Sequence, residues 1–396
     1  MTGKPYGFPV LRGSNMNREL LTKAEELNDK YVQMWADICS IESPTDFKQG
    51  VDEVGRYFIE KAEAQGWDVE IHEEKISGNC ISITMNNTSD EAPVVFSGHM
   101  DTVHAVGSFG SPAVRCEGDT IYGPGVKDCK GGITAAFMAM EILAACGFKK
   151  RPVRLILQSD EEVGSAFSEG RTIEFMREKA QNAVGFFNCE AHRNGGVTLM
   201  RKGSVKYEFE IRGKAVHSSN CYLGASAITE AARKIIQLEK MKARNGITCN
   251  CGTVTGGTAD NSVPDICRFS ADIRFNDMKQ LQKAQNRVRQ IADRSYVRGT
   301  ECTCRIKTMR RPMELCDANV DLFHRINEIF KEYGLPKVRL EKSRGGSDAS
   351  DMTYYGIPCI DSMGVTGRFI HSIHEEARIS SLKEAAVRFA VIAWEL

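Results

Sequence analysis

Val94-Val-Phe-Ser-Gly-His-Met-Asp-Thr-Val103 starts as an apolar strand and ends on an imidazole and a carboxylate, which sets both the fold class and where to look for chemistry. Residues two apart in extended chain point to the same side, so Asp101 can reach the far ring nitrogen of His99 and fix which nitrogen faces a cation. Two later loops add acids. Gly123-Pro-Gly-Val-Lys-Asp-Cys-Lys-Gly-Gly132 carries Asp128, and Gln158-Ser-Asp-Glu-Glu-Val-Gly164 carries Asp160, Glu161 and Glu162. Read as strand-end loops, all three offer ligand atoms to one place.

Working outward from that strand, segments 16–40 and 50–66 place Leu20, Leu21, Ala24, Leu27 and Val54, Tyr57, Phe58, Ala62 at helical spacing. Runs at 69–71, 81–85, 94–96 and 153–157 read as strands, and 132–145 and 171–179 as helices. The alternation predicts an α/β fold with a mixed, largely parallel sheet, whose ligands belong at the carboxyl ends of its strands. From residue 203 the order becomes strand 205–211, helix 225–241, strands 247–255 and 265–275, helix 278–295 and strand 300–308. That is a complete βαββαβ (ferredoxin-like) unit. After Pro312 the α/β pattern resumes with a helix at 322–333, short strands near 338–340 and 357–361, and a closing helix from Ser381. The expected domains are therefore 1–202 with 310–396, and an insertion at 203–309.

A chain of 396 residues exceeds the size at which a single core stops growing, which supports two domains. Lys plus Arg and Asp plus Glu both number 52, removing the electrostatic case for a nucleic-acid or membrane-surface partner; a small substrate is expected. The first ten residues hold no signal-peptide core, and no segment approaches the roughly 18 apolar residues of a membrane span, so a cytoplasmic protein is expected. The 14 cysteines are scattered with no Cys-x-x-Cys, which predicts reduced thiols. Cys249/Cys251 and Cys302/Cys304 read as small apolar members of a strand face rather than a zinc knot.

His99, Asp128, Glu161-Glu162, Glu190 in Phe186-Phe-Asn-Cys-Glu190, and the late His371 make a mixed nitrogen and oxygen ligand set suited to Zn²⁺. Two metals about 3.5–4 Å apart need a shared carboxylate and roughly two further ligands each, with one acid left over as general base. Each residue has a bland reading when taken alone. His99 with Asp101 could be a surface pair, Glu161-Glu162 solvated charge, and Asp128 a turn residue or helix cap. Their joint occurrence outweighs these readings. The glycine loop 123–132 lacks the ending of a P-loop and the third glycine of a dinucleotide fingerprint; its glycines are expected to let backbone approach the metals.

Gly98-His-Met-Asp-Thr-Val, the 123–132 loop and Ser159-Asp-Glu-Glu-Val-Gly-Ser together resemble the acetylornithine deacetylase, succinyl-diaminopimelate desuccinylase and carboxypeptidase G family of dinuclear zinc metallopeptidases. The resemblance spans nearly the whole chain. It implies a zinc-exopeptidase-like catalytic domain, an inserted dimerisation or lid domain, a homodimer, and two Zn²⁺ per chain with Co²⁺ or Mn²⁺ as alternatives. Position by position, it makes His99 and Glu190 ligands of one metal, Asp101 the orienting partner, Asp128 the bridge, Glu161 the general base, and Glu162 a ligand of the other metal. The last ligand falls to His371 rather than His374, because His371-Ser-Ile-His-Glu-Glu resembles the family's His-Ser-Pro-Asp-Glu. Cys129 departs from the acidic or amide residue often found there, a position commonly preceded by a cis peptide.

In the insertion, Arg212-Gly-Lys-Ala-Val-His217-Ser-Ser, Thr255-Gly-Gly-Thr-Ala-Asp-Asn261-Ser-Val-Pro264 and Asp272-Ile-Arg274-Phe look like further family motifs. The resemblance assigns His217 to the oxyanion in the partner subunit's site, and Asn261 and Arg274 to the substrate carboxylate. The plain alternatives are a surface histidine and a solvent-facing arginine. Gly345 and Gly346, after Arg344, would line the pocket, and Arg311 is another carboxylate binder. The implied activity is cleavage of the amide bond of a small peptide or N-acyl amino acid with a free carboxylate, as in a carboxypeptidase G-like exopeptidase. However, Ala191-His-Arg-Asn-Gly-Gly-Val-Thr lacks the lysine which that type uses for a glutamate side chain. An aminoacylase, deacetylase or dipeptidase is the rival reading. A catalytically silent binding or assembly protein is the non-enzyme one, and the retained Glu161 counts against it.

Overall fold

A computed structural model of the chain describes residues 15–192, 195–243, 246–343 and 345–396. Its contacts divide the chain into two units: one through Leu199 with Leu315–Lys342 and Ser347–Leu396, the other Met200–Glu314 with Ser343–Gly346. Arg344, Arg193 and Asn194, which fall in motifs named above, lie outside the described residues.

The large unit is built on a six-stranded sheet in the order Asp68–His72, Cys80–Met85, Val153–Gln158, Val94–His99, Gly185–Asn188, Cys359–Ile360. Val94–His99 runs parallel to both Val153–Gln158 and Gly185–Asn188, and Cys359–Ile360 is parallel to Gly185–Asn188. Cys80–Met85 is antiparallel to both its neighbours, so the sheet is mixed. Every residue of Val94–His99, Cys80–Met85 and Gly185–Asn188 is buried. Val94–His99 and Gly185–Asn188 accordingly carry consecutive apolar residues, whereas Cys80–Met85 alternates, with Ser82 and Thr84 buried between Ile81, Ile83 and Met85.

Helix Lys130–Ala145 packs on two of these strands and against helices Asn15–Ser40 and Ser380–Glu395. Its Ala- and Met-rich sequence is apolar on nearly all sides because it is buried on nearly all sides. Phe137 is its anchor, with ring centroids 5.2 Å from Trp67, 5.5 Å from Phe58 and 6.4 Å from Tyr31. Emptying such a site costs about 3–5 kcal/mol. The buried Lys130 ammonium donates to the carbonyls of Ile38 and Ile41 at 3.0 and 2.7 Å, satisfying the end of the first helix. Burial pushes its pKa down to about 8.

A second sheet of the large unit was not foreseen from the sequence: Gly367–Arg368, Glu376–Arg378, Thr120–Tyr122 and Arg115–Glu117, paired antiparallel. Its strands are two or three residues long, too short to show a period. It has a direct consequence for the site, because it lays the chain after Tyr122 beside the chain before Glu376.

The small unit is a four-stranded antiparallel sheet in the order Thr248–Gly256, Ile266–Phe275, Gly203–Arg212, Glu301–Arg310. Helices Ala227–Glu239 and Met278–Asp293 complete the βαββαβ order. Alternation is clean here, with Val205, Tyr207, Phe209 and Ile211 buried on one face and matched by Phe269, Ala271, Ile273 and Phe275. Phe209 and Phe269 are register partners whose rings stack at 4.4 Å. Cys249 belongs to this core, and Cys251, Cys302 and Cys304 pack against it. All the chain's cysteines are free thiols.

Candidate metal centre

His99 ends strand Val94–His99; Glu161 and Glu162 follow Val153–Gln158, and Glu190 follows Gly185–Asn188. Three parallel strands thus deliver groups at their carboxyl ends, as an open α/β sheet should. Asp128 departs from that expectation. It follows Thr120–Tyr122 of the second sheet and precedes helix Lys130–Ala145, while His371 lies between the two strands Gly367–Arg368 and Glu376–Arg378. The short antiparallel sheet is therefore what brings these two sequence-distant residues together.

Asp128 is the hub. Its Oδ1 lies 3.3 Å from His99 Nε2 and its Oδ2 lies 3.3 Å from His371 Nε2. His99 Nε2 is also 3.4 Å from Glu190 Oε1, and His371 Nε2 is 3.3 Å from Glu162 Oε2. Two ligands held tetrahedrally at zinc's bond length of about 2.0–2.1 Å stand about 3.3–3.4 Å apart. All four separations fit groups sharing a small cation, and the donor set is imidazole and carboxylate, so the residues suit the metals the sequence suggested. His371, at φ 59°, holds a left-handed backbone that a non-glycine residue adopts only when its surroundings impose it. His371 and His374 are both exposed; the main-chain N–H of His374 donates to Ser372 Oγ at 3.2 Å.

Asp101 lies beneath this array, fully buried. The nearer partner of His99 Nδ1 is the main-chain carbonyl of Asp101, at 2.9 Å, with carboxylate Oδ1 at 3.4 Å. The pair orients the ring as expected, but mainly through backbone. The carboxylate is used elsewhere, accepting from Thr45 Oγ1 at 2.7 Å and from the main-chain N–H of Glu161 and Glu162 at 3.2 and 3.1 Å. Asp101 thus fixes the backbone that carries both glutamates. Thr45 went unrecognised because a Ser43-Pro-Thr45 run after a helix reads only as a turn.

Glu161 is buried; like His371, it belongs to neither of the two tight groups of metal-capable side chains among the described residues, His99/Asp128/Glu162 and His99/Cys129/Glu190. Asp128 and Cys129 are joined by a cis peptide, and the buried Cys129 thiol is the departure from the family pattern. The glycines of the loop serve packing. A Cβ on Gly132 would sit 1.9 Å from the carbonyl oxygen of Cys189, and one on Gly131 would meet Val126 and Trp35. They let the helix start press against Cys189 on one side and against Val126 and Trp35 on the other.

The electrostatics match an incomplete charge balance. Burial, with Asp128 nearby, raises Glu190 to about 7, and burial raises Glu162 to about 8. Burial also works against Asp128, but the two imidazoles outweigh it and hold its carboxyl below the usual range. Hydrogen bonds to Asp128 and Glu162 raise His371 to about 10. Burial works against charged His99, yet Cys129, Asp101, Asp128 and Glu190 together hold it well above the ordinary imidazole value. Clustered acids that retain protons near neutral pH are what a cation site looks like without its cation.

The substrate candidates all lie in the small unit. His217 is exposed, its Nδ1 2.8 Å from Ser219 Oγ, and the Asn261 carbonyl accepts from the Ser218 N–H at 2.9 Å, so these two loops are side by side. Arg274 is gripped at 2.7 and 2.9 Å by Asp272 on its own strand. Arg311 is half-buried. The carbonyls of Gly345 and Gly346 face Arg201 Nη1 at 3.2 and 3.4 Å, making Arg201 a support of the glycine turn that the sequence did not suggest.

The model of peptidase family M20/M25/M40 matches residues 95–395. The chain is 26% identical over 280 residues to carboxypeptidase G2 of Pseudomonas sp. (strain RS-16), covering 69% of this chain and 66% of that one. It is 30% identical over 211 residues to an acetylornithine deacetylase of Myxococcus xanthus, covering 50% of this chain and 53% of that one. A dinuclear metal-binding M20 peptidase of Bacillus subtilis shares its fold with a TM-score of 0.67 at 16% identity, over 93% of this chain and 98% of that one. The chain thus belongs to peptidase family M20/M25/M40, a family of metallopeptidases and amidohydrolases that act on peptides or acyl amino acids.

Proposed function

We propose that the chain is a dinuclear zinc hydrolase that cleaves the amide bond of a small peptide or N-acyl amino acid bearing a free carboxylate, in the manner of a carboxypeptidase G-like exopeptidase. The observation that carries this is Asp128, whose two oxygens each face a different imidazole, each with its own second carboxylate. His99, Asp128 and Glu190 would hold one metal, and His371, Asp128 and Glu162 the other. When bound, the two ions supply a water acidic enough to be a nucleophile at neutral pH and a Lewis acid for the carbonyl.

The protein's own groups do the rest. Glu161, set by its main-chain bond to Asp101, takes the water's proton and returns it to the leaving amine. Asp101 holds the His99 ring. The small unit supplies donors: His217 for the developing oxyanion in the partner subunit's site, and Asn261, Arg274, Arg311 and the 345–346 turn for the substrate. This makes the small unit the dimerisation and lid domain, and the working form a homodimer. Among the described residues no helix is long and apolar enough to cross a membrane. Free thiols throughout suit a reducing cytoplasm.

The aminoacylase, deacetylase or dipeptidase reading gains support from the 191–198 run, which holds no lysine to read a glutamate side chain and whose histidine, His192, turns inward. His192 is buried, accepts from the Gly195 N–H at 2.9 Å and lies 3.3 Å from Thr366 Oγ1. Burial and the nearby Arg388 and Arg378 push its pKa down to about 3. Such a neutral, inward-bonded ring is no anchor for a carboxylate. The deciding experiment is metal analysis of the purified chain combined with hydrolysis of dipeptides, N-acetyl amino acids and N-acyl glutamates. Two zinc equivalents, with activity lost to chelation and restored by zinc, support the proposal. Two bound metals with no hydrolysis on any substrate of the panel would leave a binding protein instead.

A further inference from the structure

Glu375 stands outside the ligand set, yet it touches three of the loops that build it. The side chain is fully buried. Oε1 accepts from the main-chain N–H of Lys127 at 2.8 Å and of Asp128 at 3.0 Å. Oε2 accepts from the N–H of Gly125 at 3.2 Å and lies 2.7 Å from His104 Nε2. Four donors thus converge on one carboxylate, using all its usual lone-pair directions. Three are loop amides, of Gly125, Lys127 and Asp128, forming a main-chain cradle for an anion that the protein fills from its own chain. The fourth, His104, comes from the segment that follows His99 and Asp101, and its ring packs edge-on against Phe109 at 4.8 Å. Glu375 itself sits four residues after His371, immediately before the short strand Glu376–Arg378 that pairs with Thr120–Tyr122.

We propose that Glu375 is the positioning residue of the second metal position, formed by Asp128, Glu162 and His371, with His104 as its accessory. The proposal rests on the dinuclear reading above. The asymmetry between the two positions carries it. The first draws His99 and Glu190 directly from buried strands of the main sheet, whose pairing fixes them. The second takes Glu162 from the end of a main-sheet strand but depends for Asp128 and His371 on two loops, 123–132 and 371–375, tied together by a short antiparallel pairing, by the Gly123 N–H donating to the Glu375 carbonyl at 3.4 Å, and by this carboxylate. Without Glu375, the first position loses the support of one ligand, Asp128, whereas the second loses that of two. Glu375→Gln is a sharp test, because an amide turns one of the two accepting oxygens into a donor. In either orientation, two of the four donors then face an N–H₂ group.

The experiment is calorimetric zinc titration of the full-length metal-free chain, with chelator competition and a thermal melt of each variant. Wild type should bind two equivalents. Glu375→Gln should keep one site near wild-type affinity and weaken the other about ten- to a hundredfold, the usual effect of removing an outer partner of a metal ligand. Should Glu375→Gln fail to fold, His104 serves in its place. His104→Leu removes one donor and should weaken only the second site, whereas His104→Gln keeps a donor and should restore it. Two wild-type sites in Glu375→Gln, or in His104→Leu where that variant stands in, overturn the proposal and leave the dinuclear reading intact. Equal weakening of both sites together with a lowered melting temperature also overturns it, showing a purely structural tie. Fewer than two zinc ions in wild type would remove the dinuclear reading itself.

Discussion

The large and small units hold their charge in opposite ways. In the large unit, Asp128, Glu162, Glu190 and two imidazoles are gathered within hydrogen-bond range or just beyond it, with two of the acids pushed to about 7 and about 8. In the small unit, charge is settled locally. Arg274 is matched by Asp272, and Glu208 and Glu210 are matched by Arg305, Lys307, Arg212 and Arg268 across the sheet's open face. A deeply buried ion pair in this unit, Lys234 with Glu230, is completed by five bonds to main-chain groups, all of 2.9 Å or less. Unbalanced buried charge marks a place that awaits a ligand, whereas balanced charge marks scaffold or a surface that awaits an encounter.

The strongest test of that contrast is Glu161→Ala. If Glu161 is the acid left over for proton transfer, both metals should stay bound while turnover falls by about 10²–10⁴-fold, the usual worth of a general base. Metal content and hydrolysis are measured on the same sample. Loss of a metal equivalent would move Glu161 into the ligand set, and normal turnover would remove it from the reaction.

Lys234→Met probes the opposite region. The Lys234 ammonium donates to the carbonyls of Ile291, Ala292 and Arg294, and Glu230 accepts from the N–H of Tyr296 and Val297, so the pair closes the end of helix Met278–Asp293. Removing one partner of a buried pair costs about 3–5 kcal/mol. A denaturant melt should show that loss, with zinc stoichiometry unchanged. A melt within error of wild type would show that the pair is not holding the small unit together.

Arg274→Ala should have a smaller effect. A charged hydrogen bond to a substrate carboxylate is worth about 1.5–3 kcal/mol, so KM should rise roughly ten- to a hundredfold with kcat little changed. Asp272→Asn, which frees the guanidinium, should lower KM if the arginine meets substrate. If neither variant moves KM, Arg274 belongs only to the charge ladder of its sheet, and the solvent-facing reading stands.

The legibility of the two units follows the same line. The βαββαβ order was readable because its strands are nine or ten residues long and half-buried, so the period-two pattern is written out. Of the main sheet, the strand Gly185–Asn188 before Glu190 went unread, but the runs at 94–96 and 153–157, leading to His99 and to Glu161-Glu162, were readable. The second sheet was not, and with it the means by which Asp128 and His371 meet across more than half the chain. Thr45 and Glu375 were hidden for another reason. Thr45 donates to the Asp101 side chain and Glu375 accepts mostly from main-chain groups, and neither kind of contact has a residue spacing to reveal it.

The smallest expected effect tests the charge imbalance directly. In the metal-free chain Glu190 and Glu162 titrate at about 7 and about 8 instead of the usual carboxylate range, so the folded state holds protons that the unfolded chain has released. Their contribution to stability is complete below about pH 4.5 and is lost as pH rises through 7 and 8. His371, raised to about 10, and His99, raised in the same sense, contribute fully below about 6.5 and lose that contribution at higher pH. Asp128 is shifted the other way, but its contribution is already present above about pH 4 and does not change across this window. The melting temperature of metal-free protein should therefore fall by a few degrees between pH 5 and pH 8. Zinc should reverse the slope, because the cation takes the place of those protons and binds more tightly as they leave. The gap between zinc-loaded and metal-free melts should widen steadily over the same range. A metal-free melt that rises from pH 5 to pH 8 would mean that the large unit's acids are as well balanced as the small unit's, and the contrast between the two would fail.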